Sequence, residues 1–235
     1  MVDETQAQVG PTFDPDRDIV TDAAALAGLA HPLRLRLLGL LRAYGPSTAT
    51  KLAARCGESS GLTSYHLRQL AAAGFVVDAD PADLAGVDRA GGRERWWTAA
   101  RRSTYTVSPP AGDETAVAAT ADYLRAVLAA DTAATRSWLL TQHAWPQQWQ
   151  DLATISDVPL RLSPTEAAAL TADIAALLAR YRRHDPAQQP GVGGVPADAV
   201  IVTAQYQVFP LPDQDPPAIP PAAPRAIPPA APPAG

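Results

Sequence analysis

The sequence predicts a mainly α-helical, α+β chain, and three observations carry that reading. Two short helical patterns meet at Cys56-Gly57-Glu58 and are followed by the apolar run Phe75-Val76-Val77, a polar interval, and a return ending in Trp96-Trp97. Behind them lie two further helical patterns, one from Asp113-Glu114 and one opened by Ser163-Pro164-Thr165-Glu166. The chain then closes on AIPPAAP, present at 218–224 and again at 226–232. Helix, tight turn, helix and two strands in that order are the parts of a winged helix-turn-helix.

Each element has a local cause. Residues 1–18 are polar and acidic and are expected to be disordered. Asp22 is placed to cap a short helix over residues 23–29. His31-Pro32 opens the next, because proline is tolerated in the first helical turn. Leu37, Leu38 and Leu41 fall on one face of that helix, and Gly45-Pro46 breaks it. Ser47 or Thr48 caps a third helix over 49–56, where Gly57 supplies the turn. Ser59 or Ser60 caps a fourth, which runs to about Ala73 before Gly74. Thr63, Leu67 and Leu70 share a face of this fourth helix and are expected to pack on Leu52 and Cys56. Gly61, Ser64, Tyr65 and Arg68 share another. That second face is small, polar and basic, which suits close approach to a groove.

Phe75-Val76-Val77 starts the wing, 81–92 forms its tip, and the return strand spans 93–98. Alternation there puts Arg93 and Arg95 on one side with Trp97. In the second half, Val117, Leu124, Leu128, Thr135 and Leu139 recur at roughly helical spacing in a helix reaching about residue 142. Residues 152–156 and 159–162 are expected to form a small hairpin. The Ser163 to Glu166 run is a capping box. Its helix carries Leu170, Ile174, Leu177, Leu178 and Tyr181 and is expected to end in Arg182-Arg183-His184, where cations suit the dipole. A loop over 188–194 and one long strand over 199–209 follow. The tail from 211 cannot pack a core and is expected to be extended. The domain reading is thus 1–18 disordered, 19–108 winged helix-turn-helix, 113–210 an α+β dimerisation or effector region, and 211–235 a disordered Pro/Ala-rich tail.

Charge singles out the same segment. Residues 1–30 hold six acids and one base; 103–235 hold twelve acids and seven bases. Only 31–102 is basic, with eleven bases and six acids. Arginine and lysine neutralise phosphates, so the basic segment being the helix-turn-helix has physical meaning. The start of the chain lacks the basic-then-apolar order of a signal peptide, and no apolar run reaches the ~18 residues of a membrane span, so a cytoplasmic location away from membranes is expected. One cysteine cannot form an internal disulfide or a cysteine-rich metal cluster, and the four histidines are dispersed. No metal or cofactor is therefore expected. Gly191-Val192-Gly193-Gly194 lacks the Lys-Ser/Thr end of a phosphate loop, and no nucleophile elbow or nucleotide fingerprint occurs, so no enzyme is expected.

At SSGLTSYHLRQLAAAGFV and GGRERWW, preceded by GLAHPLRLRLLGLL, the chain resembles the ArsR-type winged helix-turn-helix regulators over about residues 20–102. The resemblance implies a homodimer, with the first helix and a helix after the wing in its interface. It also implies an inverted-repeat operator on double-stranded DNA, usually with repression as the outcome. The family's base-reading positions correspond to Ser60, Gly61, Ser64 and Tyr65. Arg68, Arg93 and Arg95 correspond to phosphate or minor-groove contacts. Lys51 and Ser59 complete the candidate DNA-binding set. The paired-cysteine motif of metal-sensing members is absent, since Cys56 stands alone on the helix before the recognition helix. Trp138, Trp145 and Trp149 are the candidate residues for a small-molecule effector. The alternative to a regulator is a winged-helix protein-interaction scaffold that never touches DNA. Arg68, Arg93 and Arg95 favour DNA over it.

Overall fold

A computed structural model describes residues 14, 17–80, 84, 94–106, 109, 112–213 and 215. The wing tip, with Arg93, most of the extreme N-terminus and most of the Pro-rich tail lie outside these residues, and with them the expectations of disorder at both ends. The elements run β1 (Asp18–Thr21), α1 (Ala23–Leu29), α2 (Pro32–Tyr44), β2 (Ser47–Thr48), α3 (Ala49–Cys56), α4 (Ser60–Ala72), β3 (Val76–Asp78), β4 (Trp96–Ala99), β5 (Ser103–Thr106), α5 (Glu114–Thr141), a 3-10 turn (Gln142–Ala144), α6 (Gln147–Leu152) and α7 (Pro164–Ala179). The architecture is α+β, an N-terminal helix-turn-helix with a small sheet followed by helices.

Local signals place the helices where the sequence put them. The Asp22 side chain accepts from the Ala25 N–H, His31 from Leu33, Thr48 from Lys51 and Ser59 from Leu62, so each N-terminus gains a partner for one orphan donor. Gly57 closes α3 at φ 72°, a left-handed value that a Cβ would strain. Arg36, one turn into α2, donates to the carbonyls of Arg55 and Cys56 at 3.0 and 3.1 Å, satisfying the far end of α3.

The core is built from Leu26 and Leu29 of α1, Leu33, Leu37, Leu38 and Leu41 of α2, Leu52 and Cys56 of α3, and Leu67 and Leu70 of α4. Phe75, Val76 and Trp97 cap it from the sheet, and Tyr123 reaches in from α5. The sheet has the order β2-β4-β3, antiparallel, with Thr48 opposite Trp96, Ser47 opposite Trp97, and Asp78 opposite Trp97 on the other side.

Several sequence expectations need correction. Asp18 is not in a disordered segment; β1 pairs in parallel with β5, Asp18 opposite Ser103. The return strand of the wing begins at Trp96, not at 93. The hairpin over 152–162 is absent: α6 ends at Leu152 and residues 153–163 have no regular structure. The strand over 199–209 is absent too; among the described residues no second strand lies beside it to share its backbone hydrogen bonds. The described part of 113–210 is therefore helical and irregular, not α+β. In α5 the buried positions are Ala116, Tyr123 and Ala126, which face α1 and α2. Val117, Leu124, Leu128 and Leu139 form a second stripe, each about half exposed. The capping box at Ser163 is present, but α7 ends at Ala179 and buries no residue, so Arg182-Arg183-His184 lies beyond its last turn.

The chain divides into two compact units, residues 1–205 and 206–235. In the second, the described residues are exposed and without strand or helix.

Candidate nucleic-acid interface

Helix α4 is two-faced because its sequence is. Thr63, His66, Leu67 and Leu70 are buried against the core. Gly61, Tyr65 and Arg68 are exposed and Ser64 is half-buried, all on the opposite side. Tyr65 is 51% exposed, so its side chain is open to solvent. Among the described residues Arg68 has no acidic partner.

His66 joins the buried face of α4. Its ring lies 4.3 Å from that of His31, the N-cap of α2, and 5.2 Å edge-on from Tyr65. Burial, with His31 and then Arg34 beside it, holds the His66 imidazole below its ordinary pKa, while Glu58 works weakly against this. Its Nδ1 is buried without a hydrogen-bond partner among the described residues. His66 is thus a bridge between helices, off the exposed face.

Between the N-terminus of α3, the exposed face of α4 and the base of the wing runs an open groove of about 260 Å³. Thr48, Thr50, Ser64, Arg68, Glu94 and Arg95 line it. Arg68, the exposed end of Arg95, the Thr50 and Ser64 hydroxyls and the first turn of α3 give this wall donors for phosphate oxygens, set beside the Glu94 carboxylate. At the rim, the Lys51 ammonium stands 4.5 Å from the centre of the Trp96 ring, and the Arg95 guanidinium 3.9 Å from that of Trp97. Arg95 also donates to Asp78 through Nε at 2.5 Å and Nη2 at 2.9 Å.

Of the DNA-binding candidates, Gly61, Ser64, Tyr65 and Arg68 are gathered on one surface, with Lys51 and Arg95 on the flanking elements. Ser59 and Ser60 stand at the start of α4, where the Ser59 hydroxyl is engaged as the cap. Thr50, Glu94 and Asp78 join the site without having been singled out. Only the Asp78–Trp97 pairing register, invisible in the linear pattern, brings Asp78 to Arg95.

The remaining candidates lie apart. Cys56 is buried, and burial pushes its thiol upward, which disfavours the reactive thiolate. Trp138, Trp145 and Trp149 stack at ring distances of 5.8 and 6.4 Å at the end of α5, with Trp145 exposed. Arg183 donates to the Ser103 hydroxyl, and the His184 ring meets the Ala43 carbonyl at 2.8 Å, so this basic run ties the segment after α7 to β5 and the end of α2. Among the described residues no group of three or more His, Cys, Asp or Glu is arranged to hold a metal ion. Among the described residues no helix is long and apolar enough to cross a membrane.

Residues 29–78 match the family model of a helix-turn-helix domain. The match spans α2, α3, α4 and β3, the elements that build the exposed face and one side of the wing. No curated protein matches the chain.

Proposed function

We propose that this chain is a sequence-specific transcriptional regulator of the ArsR type. It binds an inverted-repeat operator as a homodimer and acts as a repressor. The observation that carries the reading is the exposed face of α4. In a helix otherwise anchored by four buried residues, Gly61, Ser64, Tyr65 and Arg68 turn outward beside a groove that holds Arg95. The helix-turn-helix match over 29–78 supports DNA as the ligand.

In this reading α4 enters the major groove and presents Ser60, Gly61, Ser64 and Tyr65 to base edges. Arg68 and the wing arginines Arg93 and Arg95 meet the backbone or the minor groove, with Lys51 behind them. A two-fold dimer places its two reading helices in successive major grooves about one turn apart. The exposed Val117, Leu124, Leu128 and Leu139 stripe on α5 supports a second copy as its cover, because a line of half-exposed apolar residues along 28-residue α5 is costly to leave in water.

The test is selection of bound duplexes from a random pool with the purified full chain. Enrichment of an inverted repeat is expected. Absence of enrichment together with absence of salt-dependent binding to any duplex sinks the reading in favour of a protein-interaction scaffold.

A further inference from the structure

We propose that Asp78 is a specificity determinant of the DNA-reading head: it holds Arg95 in a two-point fork against Trp97, withdrawing that cation from indiscriminate phosphate binding and aiming its remaining donors at the cognate site. The inference rests on the DNA-binding reading and extends it to a residue of opposite charge from the ligand.

The geometry follows from the sheet. Asp78 and Trp97 are direct partners across β3 and β4. Arg95 lies two residues before Trp97, hence on the same side of the strand's line. Trp97 is buried and makes a rigid floor beneath the guanidinium. Both Asp78 carboxylate oxygens are used, one by Nε and one by Nη2. Both side chains are more than half exposed, so the two-point contact and the ring restrict the guanidinium's rotation before DNA arrives without abolishing it. Of five N–H groups, two face Asp78, and the other three are left to donate elsewhere. Arg95 and Arg68 line the same groove, so those donors belong to the side that meets DNA.

The consequence is electrostatic. Nonspecific duplex affinity grows with the number of phosphates that free cations neutralise. The Arg95–Asp78 pair is neutral as a unit and adds little to that number. At the cognate site the pre-aimed donors make a directed contact without the entropic cost of ordering an arginine. The carboxylate therefore lowers background binding and sharpens discrimination.

The experiment compares the wild-type chain with Asp78→Asn, Arg95→Ala and the double variant, on a nonspecific duplex and on the selected sequence, across salt concentration. Asp78→Asn is expected to raise nonspecific affinity by about three- to tenfold and steepen its salt slope by ~0.9, the signature of one more neutralised phosphate. Affinity for the selected sequence is expected to hold or fall, so the specificity ratio drops. In the Arg95→Ala background Asp78→Asn is expected to change nothing. An unchanged nonspecific affinity and slope in Asp78→Asn overturns the proposal. So does an equal fall on both duplexes, which would mark Asp78 as merely structural; thermal midpoints of all variants separate that case from misfolding. Failure of the wild-type chain to bind any duplex instead defeats the underlying DNA reading, and this inference with it.

Discussion

Asp18 and Arg102 are 84 residues apart and form a two-point ion pair, Nε to Oδ1 at 3.2 Å and Nη2 to Oδ2 at 3.1 Å. The Asp18 side chain is fully buried, and it also accepts from the Asp14 N–H. The pair locks β1 onto β5 at the edge of the helix-turn-helix domain. Losing one partner strands a buried charge. Arg102→Ala is therefore expected to cost about 3 kcal/mol, read from urea unfolding. The double variant Asp18→Ala/Arg102→Ala should recover part of that loss. A single-variant cost within error of zero would mean that backbone pairing alone holds β1.

Gly28 of α1 lies against the end of α4. A Cβ there would lie 2.5 Å from the Cβ of Ala73. Because Ala73 caps α4, a clash at this point pushes on the recognition helix itself. Gly28→Ala is expected to destabilise by about 1–3 kcal/mol, the usual cost of overpacking. Ala73→Gly in the same chain should restore most of it. Thermal unfolding of the three variants checks this, and a fully stable Gly28→Ala would show that the helices slide apart freely.

His66 gives the domain a predicted acid sensitivity. Burial first, then His31 and Arg34, lowers its pKa in the folded chain below the ordinary value of 6.5. The folded state thus binds the proton less readily than the unfolded one. Stability is complete above the unfolded value, declines as pH falls through 6.5, and levels off below the folded value. Denaturation between pH 7.5 and pH 5 should show the decline, and His66→Phe should flatten it. An identical slope in the variant would assign the sensitivity to other groups.

Ser64→Ala/Tyr65→Ala and Arg68→Ala are expected to fail differently. The first pair should reduce the preference for the selected sequence by roughly tenfold or more, since base contacts carry discrimination of about 1–3 kcal/mol each. Arg68→Ala should weaken all duplexes alike and reduce the salt slope by ~1. Binding assays on selected and random duplexes distinguish them. Equal losses on both duplexes from the Ser64/Tyr65 change would remove base reading from this face.

Leu124 and Leu128 test the proposed dimer. Both are about half exposed on α5, away from the side that carries Tyr123 into the core. Leu124→Glu/Leu128→Glu is expected to give a monomer by sedimentation with the thermal midpoint of an intact fold. A variant that sediments with a dimeric wild type would place the two-fold axis elsewhere, and a monomeric wild type would overturn the dimer.

Much of the reading head was legible because its signals are local. Asp22, Thr48, Ser59 and Ser163 mark helix starts by what their side chains do three residues on. Thr63, Leu67 and Leu70 mark the buried face of α4 by period alone. The C-terminal half was less legible for a related reason. A period identifies an apolar stripe but not what covers it: Val117, Leu124, Leu128 and Leu139 recur at helical spacing, and each is about half exposed. Alternation over 199–209 likewise signals a strand only if another strand lies beside it.

By itself the sequence determined the helices of the reading head, the turn at Gly57 and the basic, outward face of α4, because each depends on neighbours within a turn or two of chain. Tertiary structure alone decided that β1 joins β5 through Asp18 and Arg102, that His66 rests on His31, and that Asp78 holds Arg95. Those contacts join residues between 17 and 84 positions apart. Their partners are chosen by the packing of whole elements against one another, which no short window of sequence contains.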